Sequence, residues 1–197
     1  EVGTKNSTPE ELHAFMKIYL AALKKRKASP GISKISVQTG TKHGGFIDEK
    51  GQPLADVKVD VACLGVLSKL SIEEYRIGGA VQHGASTLPE KFFDRFPAAG
   101  ACEIHLATGF QNMLYEHPAF PADLRGRIYD WCRTELAGER KPNSTDQQFI
   151  YETRKKGLGK FKKEIYEIPD KAKRAIGKTL EDRFSFLFKK LNVAGSA

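Results

Sequence analysis

Three short segments rich in apolar and β-branched residues most constrain the fold. They are 32–38 (ISKISVQ), 77–81 (IGGAV) and 101–106 (ACEIHL). Their β-branched content and alternation predict strands. Each runs into glycine, histidine or small polar residues, and a helical pattern separates each from the next. The first helix is announced by Thr8-Pro9-Glu10-Glu11, a capping residue, a first-turn proline and acids at the positive end of the dipole. Leu12, Phe15, Met16, Tyr19, Leu20 and Leu23 follow at helical spacing. Residues 61–70 read as a second helix. Thr87-Leu88-Pro89-Glu90 opens a third, with Phe92, Phe93 and Phe96 as its apolar face, and 111–115 opens a fourth. Alternating helices and strands predict an α/β fold with a parallel sheet. Such sheets place ligands at the carboxyl ends of their strands.

From about residue 118 the pattern changes. Pro118, Pro121, Pro142 and Pro169 punctuate four predicted helices, at roughly 122–138, 146–156, 158–167 and 170–191. Residues 122–197 carry 18 of the 32 basic residues and 11 of the 24 acidic ones, a balance of +7 within the overall +8. Two regions follow, 1–117 and a basic helical extension, 118–197. The basic run Arg154-Lys155-Lys156 with Lys160, Lys162-Lys163, Lys171 and Lys173-Arg174 reads as a solvated helical face. Nucleic-acid binding would call for interleaved exposed aromatics and is not expected. No stretch approaches the roughly 20 apolar residues of a membrane helix. The three cysteines, Cys63, Cys102 and Cys132, are far apart and form no CxxC pair, which suggests a reduced, cytoplasmic protein.

The chemistry concentrates in two matching places. Thr39-Gly40-Thr41-Lys42-His43-Gly44-Gly45 follows the first strand, and Gln82-His83-Gly84-Ala85-Ser86 follows the second. If these strands are neighbours, His43 and His83 share one rim, where two imidazoles can ligate one Zn²⁺. Each following glycine leaves room for a ligand near the backbone. Ser86 and Thr87 precede a helix start, where free N–H groups favour an anion. The competing reading, satisfied structural histidines at strand ends, stays open on these residues alone. His105 shares a strand side with Glu103 and Ala107, so it is a candidate for the mouth of the site. His13 and His117 read as surface or loop residues.

The stretches EVGTKNSTPEEL, SVQTGTKHGG, AVQHGASTLPEKFF and ACEIHLATGFQNML, in this order and spacing, resemble the second half of a class II (zinc-dependent) fructose-bisphosphate aldolase. The similarity is to the long form of that family, with its helical C-terminal extension. It implies a TIM (β/α)8 barrel of which this chain supplies the C-terminal part, residues 1–117, followed by the extension. It implies His43 and His83 as zinc ligands, with Glu1 at an alternative metal position. It implies Gly44, Gly84, Ser86 and Thr108 as phosphate-binding positions, with His105 near the substrate. The implied cofactor is Zn²⁺, with a monovalent cation as a further candidate.

The resemblance also has departures. His105 and Ala107 stand where the family has Asn and Asp, and Thr4-Lys5-Asn6-Ser7 replaces its Gly-Gly-Glu-Glu loop. The third zinc histidine and the general-base Asp are expected upstream of residue 1, so the isolated chain is expected to be inactive. The implied activity is cleavage or formation of a phosphorylated ketose, foremost fructose 1,6-bisphosphate, giving dihydroxyacetone phosphate and glyceraldehyde 3-phosphate. The alternative is a non-catalytic aldolase-like structural subunit or fragment. Expected partners are the phosphorylated sugar, the N-terminal half of the barrel and further copies of the chain.

Overall fold

The computed structural model describes residues 5–42, 44–54 and 59–196. Its sheet has three parallel strands: β1 (Ile35–Ser36), β2 (Ala80–Gln82) and β3 (Glu103–Ile104), in the order β1-β2-β3. Ile35 pairs with Ala80, and Val81 with Glu103. The protein is therefore mixed α/β and mostly helical. The strands are shorter than their sequence patterns suggest. β1 and β3 have β2 as their only partner among the described residues, and a strand extends only as far as a neighbour completes its ladder. Hydrogen bonds continue beyond the strands, from Gly78 N to Ser33 O (2.6 Å) and from His105 N to Gln82 O (2.9 Å).

Helix α1 (Pro9–Arg26) precedes β1, α2 (Val61–Glu73) joins β1 to β2, and α3 (Arg95–Ala98) lies between β2 and β3. The sequence pattern after Thr87 predicts a longer helix. Instead a 3-10 turn at Glu90–Phe92 precedes the single turn of α3. Pro97 explains the break, since it lacks the N–H that a continuous helix would donate to Phe93 O. Phe93 and Phe96 still reach the core and are fully buried, with Leu12, Met16, Leu64, Leu67 and Ala80. At the start of α1 the Thr8 hydroxyl accepts from Glu11 N (3.3 Å), and the Glu11 carboxylate accepts from Thr8 N (3.1 Å). This reciprocal cap satisfies two orphan donors. Thr8→Ala is expected to cost about 1 kcal/mol in urea unfolding; an unchanged midpoint would remove the cap from the account.

After β3 comes α4 (Thr108–Tyr115), and the extension then comprises α5 (Ala122–Glu135), α6 (Asp146–Thr153), α7 (Gly157–Lys160), α8 (Lys162–Tyr166) and α9 (Asp170–Lys190). Tyr115 of α4 packs with Phe120, Leu124, Ile128, Ile168 and Ile176 of the extension in a second core. Helix α9 spans both cores. Ile176 lies in the second core and Leu187 in the first. Phe184 stacks on Phe110 with ring centroids 4.7 Å apart. The long aromatic helix thus fastens the extension to the sheet. No helix among the described residues is long and apolar enough to cross a membrane.

Candidate functional site

The loops leaving β1 and β2 are locked together by one buried side chain. Gln82 ends β2 and is fully buried. Its amide oxygen accepts from the Thr39 hydroxyl at 2.8 Å, and its amide nitrogen donates to Thr41 Oγ1 at 3.0 Å and to His83 O at 2.6 Å. Thr41 then donates its own proton to His83 O at 2.8 Å. Buried polar groups of this kind are stable only when satisfied, and satisfied they fix a geometry. Gly84 follows at φ +66°, and a Cβ there would lie 3.0 Å from the Lys42 backbone. A glycine is needed on both counts, dihedral and space. The network therefore brings the two loops into contact and sets His83 at the strand ends.

These loops and the loop after β3 enclose an open cavity of about 610 Å³. Its lining includes Gly44, His83, Gly84, Ser86, His105 and Thr108. Those are all the candidate site residues that fall among the described residues. Glu1 and His43, the two other proposed metal positions, lie outside them. Gln111 of α4 and Lys155 of the extension complete the polar lining.

Donors for an anion are arranged around this space. Ser86 Oγ accepts from Gly109 N at 3.0 Å, which leaves its O–H free to donate. Thr108 is the first residue of α4, whose N-cap, Ala107, has no side chain to cap it. Gly109 N is taken by Ser86 Oγ, and Phe110 N and Gln111 N by Ala107 O, so the Thr108 N–H and the helix dipole are what favour negative charge at this end. Gly44 has φ +86° and no atom within 4 Å of a Cβ position, so its backbone is open to a ligand.

His83 and His105 lie against each other, with ring centroids 4.1 Å apart and planes at 46°. His105 also contacts the Glu103 carboxylate, and Lys34 pairs with the same carboxylate. Strand alternation explains the pair, since Glu103 and His105 are two residues apart on one side. A carboxylate-bound histidine is a common support around a metal. The donor chemistry at His83 suits zinc, but the set is partial. Among the described residues no group of three or more His, Cys, Asp or Glu is placed to hold an ion.

The remaining reactive types are engaged elsewhere. His13 Nδ1 meets the Tyr75 hydroxyl at 2.5 Å, and His117 accepts from Ala119 N at 3.0 Å while meeting Thr179 at 3.2 Å. Burial pushes the Cys63, Cys102 and Cys132 thiols above their ordinary range, away from the thiolate that a nucleophile requires.

Sequence reasoning missed Gln82, Lys155 and Arg154. Arg154 is buried, and its guanidinium donates to Glu116 (2.6 Å), Asn112 (2.8 Å) and Tyr129 (3.1 Å). Burial pulls its pKa down, but the bonds to Glu116 and Tyr129 outweigh that and hold it above the usual arginine value. Tyr151 donates to Gly44 O at 2.9 Å and accepts from Asn112 at 3.0 Å, tying the extension to the glycine loop. No protein-family model matches the chain, and no curated protein matches it.

Proposed function

We propose that this chain is the C-terminal part of a zinc-dependent aldolase that cleaves or forms a phosphorylated ketose. The observation that carries the reading is convergence: His83, Gly84, Ser86, His105, Thr108 and Gly44, from three separate loops, line one cavity at the carboxyl ends of parallel strands. In the proposed arrangement His83 holds zinc together with His43. Zinc supplies, when bound, a Lewis acid for the ketose carbonyl. Ser86, Thr108 and the backbone of Gly44 and Gly84 bind the phosphate. The finer fold proposed is the second half of a TIM barrel. It is supported by the parallel order of the strands, by the two open sheet edges among the described residues, and by exposed Phe15, Ile18 and Val66 on the flanking helices.

The test is metal content and ketose cleavage in the full-length protein. About one zinc per chain is expected, with His83→Ala losing both metal and cleavage. Unchanged zinc and cleavage in that variant would reject the assignment. One feature favours the second reading, a non-catalytic aldolase-like subunit: Ala107 stands where the resembled family has a carboxylate. Zinc bound without cleavage in the unaltered protein would select it.

A further inference from the structure

Next to the strand-end cavity lies a second one of about 310 Å³, and the two share Gly44, Thr108, Gln111 and Lys155. Its charged lining is Lys42, Lys141, Lys155, Lys156, Glu139 and Glu152. Both carboxylates are already taken. Glu139 accepts from Lys156 at 2.5 and 2.6 Å, and Glu152 accepts from Lys141 at 2.7 Å. Among the described residues Lys155 has no carboxylate partner. It stands at the junction of the two cavities as an uncompensated ammonium group beside hydroxyl and backbone donors.

The backbone that carries Lys155 is fixed. Arg154 immediately before it is anchored to Glu116, Asn112 and Tyr129, and its guanidinium lies over the Tyr115 and Tyr151 rings at 5.5 and 5.1 Å. The carbonyl of Arg154 accepts from the Tyr115 hydroxyl at 2.9 Å. Gly157, two residues beyond Lys155, is buried against Ile128 and Tyr115. With its main chain held on both sides, Lys155 has only its side chain left to order when it binds a ligand.

We propose that the helical extension contributes Lys155 to the strand-end cavity as a phosphate-binding, specificity-determining residue. The proposal rests on the phosphate-cradle reading of that cavity and deepens it. Ser86 and Thr108 offer hydroxyl donors, the start of α4 offers the Thr108 N–H and the positive end of its dipole, and Lys155 adds the full positive charge that a phosphate dianion needs. Charge-assisted bonds to phosphate are the strong ones. The ligand chemistry is a phosphate group, carried either by a sugar ester or by free phosphate.

The test uses the full chain without metal, titrated separately with inorganic phosphate and with a ketose monophosphate, followed by calorimetry. Lys155→Ala is expected to weaken binding of both probes by roughly tenfold or more. Lys155→Arg, which keeps the charge, is expected to retain most of the affinity. Lys160→Ala, which removes a lysine that lines neither cavity, is expected to change nothing. Tighter binding of the ester than of free phosphate identifies the sugar ester as the ligand's source; the reverse identifies free phosphate. Lys155 remains the anchor in both cases. Absence of binding up to millimolar probe, or affinity unchanged in Lys155→Ala, overturns the proposal. Zinc content in His83→Ala does not depend on this result, so the two readings can fail separately.

Discussion

Arg154→Ala is expected to lower the unfolding free energy by about 2–4 kcal/mol, read from urea denaturation. The residue is only 6% exposed and sits at the centre of the junction between the sheet region and the extension. Its guanidinium makes three side-chain hydrogen bonds, to Glu116, Asn112 and Tyr129. Truncation removes all three and the stacking on Tyr115 and Tyr151. Glu116 is half exposed and can return to water, so the variant avoids the full cost of stranding a buried charge. Asn112 and Tyr129 are less able to find new partners. Lysine cannot replace the fork, because one ammonium group cannot meet three partners in the same plane. Arg154→Lys is therefore expected to recover less than half of the loss. The effect also reaches the cavity, since Asn112 holds Tyr151, which holds Gly44. A loss below about 1 kcal/mol would show that the junction is carried by apolar packing alone.

The run Arg154-Lys155-Lys156 marks where sequence reading reaches its limit. As three consecutive cations it reads as a solvated face. In the fold it forms a 3-10 turn that sends the three side chains to different places. Arg154 goes inward, Lys155 to the cavities, and Lys156 to Glu139 on the surface. Nothing local distinguishes them, because their partners at 112, 116, 129 and 139 are set by the packing of α4 and α5. The start of α1 is the opposite case. Its cap is a four-residue interaction, and Thr8-Pro9-Glu10-Glu11 contains all of it. The strand-end residues fall between. Their placement on one rim follows from strand–loop–helix alternation, which a sequence displays. The Gln82 network that holds the rim does not, since it depends on which strand lies beside β2.

Gly109→Ala is expected to destabilise the protein by about 2–3 kcal/mol, although alanine is the better helix former by about 1 kcal/mol. Two effects compete, and their sizes decide the sign. A Cβ at position 109 would lie 2.3 Å from the Ser86 carbonyl oxygen and 3.1 Å from its carbon. Those are backbone atoms, so no rotamer change can relieve the overlap; the loop after β2 or the start of α4 must move. Either movement breaks the bond from Gly109 N to Ser86 Oγ and separates Ser86 from Thr108. Phosphate binding should therefore fall together with stability. Gly177→Ala in α9 supplies the comparison. Nothing lies within 4 Å of its Cβ position, so only the propensity gain remains, and stability is expected to rise by up to about 1 kcal/mol. The same chemical change is thus predicted to have opposite signs at two helical sites. If Gly109→Ala were neutral or stabilising, the close approach of Ser86 to α4 would not exist in solution, and with it would go the cradle that the cavity's phosphate reading requires.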